Sequence, residues 1–145
     1  MKLQKSTVIA LCSVLEAAHE PGRQISSAGI AEKYGVSPHH LAKVLRRLGR
    51  AGLLESARGV GGGYRFSGNA KRVTLMDVIG LFEEMIVEAA GQREKAASTD
   101  VERAIAQVLG EIDETAKAVF KSITIATMLR LIERQNRVAG QSPPV

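Results

Sequence analysis

The side chains with most capacity for chemistry lie between residues 37 and 66. His39, His40, Lys43, Arg46, Arg47 and Arg50 follow Ser37-Pro38. Arg58 and Arg65 then flank the run Gly59-Val60-Gly61-Gly62-Gly63, with Tyr64 behind it. Cations at helical spacing beside a glycine-rich tip suit the binding of a polyanion, because side chains neutralise phosphates and glycine lets backbone approach them closely. Other chemistry fits these residues poorly. Adjacent His39 and His40 project about 100° apart on a helix and His19 is remote, so no metal site is expected. The pattern GxxxxGK[ST] is absent, and GxGxxG breaks at Tyr64, where its third glycine would stand. No Ser/His/Asp or Cys/His arrangement stands out. The expectation is a protein that is not an enzyme and carries no cofactor.

The charge distribution points the same way. Net charge is +5 over 145 residues. Residues 1–72 carry 12 Lys/Arg against 4 Asp/Glu, and residues 73–145 carry 8 against 11. The basic half suits a nucleic acid, and the acidic half is free for another task. Aromatics are only 3%, with no Trp, so the core must come from aliphatic side chains, as in helix-on-helix packing. No apolar run approaches the ~18 residues of a membrane span, and no signal peptide is legible. A cytoplasmic protein with no membrane partner is expected. The single cysteine, Cys12, excludes an intrachain disulfide and an all-cysteine metal site within one chain. It is a candidate thiol sensor, but its place on an apolar stripe favours an inert thiol.

The elements that must position these groups follow from apolar periodicity and stop signals. Val8, Leu11, Cys12, Leu15 and Ala18 form one stripe of a helix over 5–19, stopped by Glu20-Pro21-Gly22. Ser26 or Ser27 caps a short second helix through Lys33 or Tyr34, and Gly35 ends it. Ser37 then caps a third helix, with Pro38 at its first position, running to about Ala51. Leu41, Val44, Leu45 and Leu48 make its buried face. Leu53–Arg58 and Tyr64–Ser67 read as two short strands around the glycine tip. Thr74 and Asp77 have capping-box spacing and open a fourth helix with Leu75, Val78, Ile79, Phe82 and Ile86 inward. Residues 88–99, rich in Ala, Gly and Ser with mixed charge, read as a loop or a frayed segment.

Asp100 is the expected cap of a long helix to about Lys121. Its Val101, Ile105, Val108, Ile112, Ala116 and Val119 recur at steps of four and three, a seam suited to a core or to a dimer interface. A last helix starts near Ser122 or Thr124, and residues 140–145 form a tail expected to be disordered. The order helix, short helix, turn, helix and ribbon is that of a winged helix-turn-helix. The fold class is therefore mainly α, with a small two-stranded β wing and a long dimerisation helix. The expected division is 1–84 for DNA binding, 85–99 as a loop, 100–139 for the dimerisation and terminal helices, and 140–145 as tail. By groove geometry, His39, His40 and Lys43 would face bases. Arg46, Arg47 and Arg50 would meet backbone phosphates, and Arg58, Gly61, Gly62, Tyr64 and Arg65 would form the wing contact.

Residues 37–66, SPHHLAKVLRRLGRAGLLESARGVGGGYRF, closely resemble the signature of the Rrf-two family of bacterial transcription regulators, the IscR/NsrR/CymR-like proteins. The wing motif Arg58-Gly59-x-x-Gly62-Gly63-Tyr64 is the most specific part. Residues 30–37, 73–79 and 122–126 are similar to the family's first half helix-turn-helix, post-wing helix and Ser-Ile-Thr-Leu-Ala segment. The resemblance covers about residues 1–132. It implies a homodimer on a pseudo-palindromic operator in double-stranded DNA, acting as a repressor, with Val101, Ile105, Val108, Ile112 and Val119 at the dimer interface. His40-Leu41-x-Lys43 is closest to the nitric-oxide-responsive branch. Ala42 stands where some members place a base-reading glutamate, which implies a different operator preference. Cluster-bearing members carry three cysteines in the loop before the dimer helix, whereas residues 85–99 here hold none, and no His. The resemblance therefore implies a member without an iron–sulfur cluster. The alternatives are an interaction module controlled by a partner protein, as some cluster-free members are, and a receptor with a small-molecule pocket between the post-wing and dimer helices.

Overall fold

The computed structural model describes residues 1–58, 63–83 and 91–140. Of the expected features, residues 59–62 of the wing tip with Gly61 and Gly62, Ile86, residues 85–90 of the loop and the tail beyond Gly140 lie outside the described residues.

The chain opens with α1, Lys5–His19. Its buried face is not the stripe of large apolar residues. Val8 is 48% exposed, while Ile9, Ala10, Val14, Ala17 and Ala18 turn inward together with Thr7 and Ser13. Two hydroxyls can share this face because both are satisfied there. Ser13 donates to the Ile9 carbonyl at 2.7 Å and Thr7 donates to Glu83 at 2.6 Å. Leu11, Cys12 and Leu15 are partly buried and pack on the edge of the core.

Helix α2, Ser27–Tyr34, is capped by Ser26, whose hydroxyl accepts from the Gly29 amide. Gly35 ends it at φ 62°, a left-handed conformation that glycine adopts without a Cβ clash. Only two residues later Ser37 caps α3, Pro38–Arg50, accepting from the His40 amide at 3.1 Å. Leu41, Leu45 and Leu48 are completely buried and Val44 nearly so. These side chains lock α3 against α1 and α2 and leave its other face to solvent.

The wing is a two-stranded antiparallel ribbon, β1 (Leu54–Ala57) and β2 (Gly63–Phe66), in the register Leu54 to Phe66 through Ala57 to Gly63. Strand β1 is shorter than the expected 53–58, while β2 keeps the expected four residues and begins one position earlier. Ile25, from the turn before α2, pairs with the far side of β2 and exchanges backbone hydrogen bonds of 2.7 and 2.8 Å with Tyr64. The ribbon is thereby tied into the helix-turn-helix.

Thr74 and Asp77 close a reciprocal capping box at the start of α4, Leu75–Ile79. Residues 91–96 form a helical segment. The long helix α5, Asp100–Ser122, is capped by Thr99 rather than by Asp100, because Glu102 completes the box by accepting from the Thr99 amide at 3.0 Å. The Ser98 and Thr99 donors hold the Glu102 carboxyl down at about 2. The last helix, α6 (Ile125–Gly140), extends through the glycine expected to begin the tail.

The sequence-based boundary at residue 100 is not a boundary in packing. Ile125 is fully buried in the same core as Leu41 and Val78. Backbone bonds from Leu75 to Ile123, Ile125 to Val73 and Ala126 to Ala70 splice the start of α6 onto the segment around α4.

Candidate nucleic-acid interface

Because the core claims positions 41, 44, 45 and 48, a 3.6-residue period leaves 39, 43, 46 and 50 on one outward line of α3. His39, Lys43, Arg46 and Arg50 are all exposed there, and Ala42 beside them keeps that face shallow. No ion pair involves these cations among the described residues, so their charge is available to a polyanion. Arg47 and Arg50 also sit in the last turn, where cations favour the negative end of the helix dipole.

Two residues of the expected set behave differently. His40 is half-buried, and its Nε2 is enclosed without a hydrogen-bond partner. Its position one step from Leu41 turns it toward the protein rather than along the His39 line. Arg47 is exposed, but its guanidinium lies over the Phe82 ring at 5.1 Å from the centroid. The contact depends on a residue 35 positions away, and local spacing carries no sign of it.

On the wing, Arg58 is exposed at the end of β1 and enters no ion pair among the described residues. Arg65 is already engaged, since it faces Glu55 across the ribbon and bonds its carboxylate at 2.9 Å. Tyr64 is half-buried and held by Ile25. Arg58 is therefore the wing cation most ready for a new contact.

The expected dimer residues remain on the surface of one chain. Val101, Ile105, Val108, Ile112 and Val119 are each at least half exposed along α5. Cys12 lies elsewhere, in a cavity of about 450 Å³ framed by α1, α2 and α6, with Glu16, Lys33, Tyr34 and Ile132 among its lining. Burial pushes the Cys12 thiol up, and the Glu16 charge adds to this. Burial also pushes Glu16 up, but hydrogen bonds from Lys33 and Tyr34 outweigh it and hold the carboxyl below its usual range. A thiol kept protonated beside a carboxylate is a poor nucleophile.

The family model for Rrf2, described as iron-dependent transcriptional regulator, matches residues 3–131. The chain belongs to the Rrf2 family. Rrf2 proteins are transcription regulators, not enzymes. One relative is named as HTH-type transcriptional regulator BadM of Rhodopseudomonas palustris. It is 50% identical over 145 residues, covering 99% of this chain and 90% of that protein. Another, HTH-type transcriptional regulator NsrR of Bacillus subtilis, is 38% identical over 80 residues, covering 54% of this chain and 55% of that protein. The structure of CymR, titled the global cysteine regulator of B. subtilis, superposes with a TM-score of 0.74 at 27% identity. The match covers 90% of this chain and 98% of CymR.

The Rrf2 description raises the question of iron. Iron–sulfur clusters are held by several thiolates. This chain has one cysteine, placed on α1 among a carboxylate, an ammonium and a phenol. Among the described residues no three His, Cys, Asp or Glu side chains converge as metal ligands. That donor set does not fit a thiolate-held cluster. No described helix is long and apolar enough to cross a membrane.

Proposed function

We propose that this Rrf2 protein is a cytoplasmic repressor that binds a pseudo-palindromic operator as a homodimer. The observation that carries this reading is the exposed line His39, Lys43, Arg46 and Arg50 on α3, with Arg58 exposed on the adjacent wing and none of them in an ion pair among the described residues. An α-helix fits the major groove with its first turns at base edges and later cations at phosphates. His39 and Lys43 then read bases, Arg46 and Arg50 hold backbone, and Arg58 enters the neighbouring minor groove. Selection from random duplexes is expected to return two inverted half-sites about 10 base pairs, or a multiple, apart. Recovery without sequence preference would remove the specific-regulator reading. On the selected site, Arg58→Ala is expected to cost about 1–3 kcal/mol with relaxed preference at one position. A loss uniform over all sequences would instead make Arg58 a phosphate contact. A reporter driven from that site should rise when the protein is deleted and rise in part with Arg58→Ala; a fall on deletion would make it an activator.

The same reading has the protein working without an iron–sulfur cluster, since it lacks the thiolates to hold one. The cavity beside Cys12 favours a small-molecule effector over a partner protein as the controlling signal, because a pocket of this size suits a small ligand. Protein purified without oxygen should be colourless and should gain thermal stability with such an effector from a metabolite panel. A brown preparation that bleaches in air would overturn the cluster-free reading.

A further inference from the structure

The segment after α4 carries two buried residues whose side chains reach different helices. Glu83 is only 6% exposed. Its Oε1 accepts from the Gln4 backbone N–H at 2.7 Å and from the Thr7 hydroxyl at 2.6 Å. Gln4 is the N-cap position of α1 and makes no side-chain cap of its own. The Glu83 carboxylate therefore satisfies an otherwise free donor at that helix end and bolts residue 83 to it. Phe82, 9% exposed, presents its ring to the guanidinium of Arg47 on α3 at 5.1 Å. Both backbone amides return to the Ile79 carbonyl, at 3.0 and 2.9 Å, so the pair has little freedom to shift.

Arg47 is one helical step, about 100°, from the line of Lys43, Arg46 and Arg50. Unsupported, it would sample many rotamers beside that line. A guanidinium resting on an aromatic face keeps its N–H donors at its edges, where a phosphate oxygen can meet them. We propose that Phe82 and Glu83 are positioning residues for DNA binding: Glu83, anchored on α1, fixes Phe82, and Phe82 presents Arg47 to a backbone phosphate. This rests on the DNA-binding reading above and assigns a part in it to residues that touch no DNA.

The test is a double-mutant cycle on the duplex recovered by selection, read as affinity over a salt series, with thermal unfolding of each variant alongside. Arg47→Ala and Phe82→Leu are each expected to weaken binding roughly three- to tenfold and to flatten the salt dependence alike. The double variant should be no weaker than Arg47→Ala alone, and Phe82→Tyr, which keeps a ring, should restore most of the affinity. Thr7→Val offers a second route that leaves the Phe82 ring in place. It removes a donor to Glu83 while nearly keeping volume, and its effect on DNA should vanish in the Arg47→Ala background. Losses that multiply in either double variant would overturn the proposal, as would full affinity and an unchanged salt slope in Phe82→Leu. Failure of the unsubstituted protein to select any duplex would refute the DNA-binding reading itself.

Discussion

Gly63→Ala is expected to detach the wing. A Cβ built at this position meets the Ile25 carbonyl oxygen at 2.2 Å and its carbon at 2.9 Å. Both are backbone atoms, so no side chain can swing aside to relieve the contact. The chain must give up the paired hydrogen bonds between Ile25 and Tyr64 or shift β2 out of register with β1. Overpacking of this kind costs about 1–3 kcal/mol, which is roughly 3–10 °C in Tm for a chain of this size. The affinity for a selected duplex should fall further than the Tm alone implies, because Arg58 and Arg65 lose their platform. Gly91→Ala is the control. Among the described residues nothing lies within 4 Å of its added methyl, and it sits in a helical segment where alanine is favoured. Equal melting of Gly63→Ala and Gly91→Ala would show that the ribbon is not held by Ile25.

The second large effect belongs to α5. A double substitution, Ile105→Asp with Ile112→Asp, places two carboxylates in the middle of the exposed seam. Both isoleucines are more than half exposed in one chain, so the isolated fold should survive and keep its helical circular dichroism. In a dimer both would be buried, where an unpaired charge is strongly unfavourable. Light scattering should then show a monomer. Operator affinity should fall about 10²–10⁴-fold, as the second half-site ceases to be an intramolecular contact. Val138→Asp, also on exposed apolar surface but on α6, should leave the mass unchanged. A variant that still weighs as a dimer would move the interface off this seam.

The third helix was readable because its signals are local. Gly35, Ser37 and Pro38 mark a turn by backbone chemistry, and Leu41, Val44, Leu45 and Leu48 leave one period for the core. The same period assigned the outward cations without knowledge of their neighbours. What stayed hidden depends on partners distant in the chain. Thr7 looks like a surface residue until Glu83 arrives from 76 positions away. On α1 the stripe departs from the core at Val8: size and apolarity favour that residue, while the small residues and satisfied hydroxyls beside it allow the closer approach. Ile25 shows no strand signal, since among the described residues it pairs as an isolated bridge with Tyr64. Thr99 displaced Asp100 as a cap because the box needs an acceptor three residues on, and Glu102 answers to Thr99.

The splice between the start of α6 and residues 70–75 makes α5 a lever. Its 23 residues span roughly 35 Å at 1.5 Å per residue, and its C-terminal end is rooted beside the reading head. Tilting the rooted end by about 5° sweeps the far end by roughly 3 Å at that length. In the proposed dimer, two heads on such levers would have to match an operator repeat of about 34 Å, one turn of DNA. In that dimer, a small rotation at the root would shift the second head relative to its half-site.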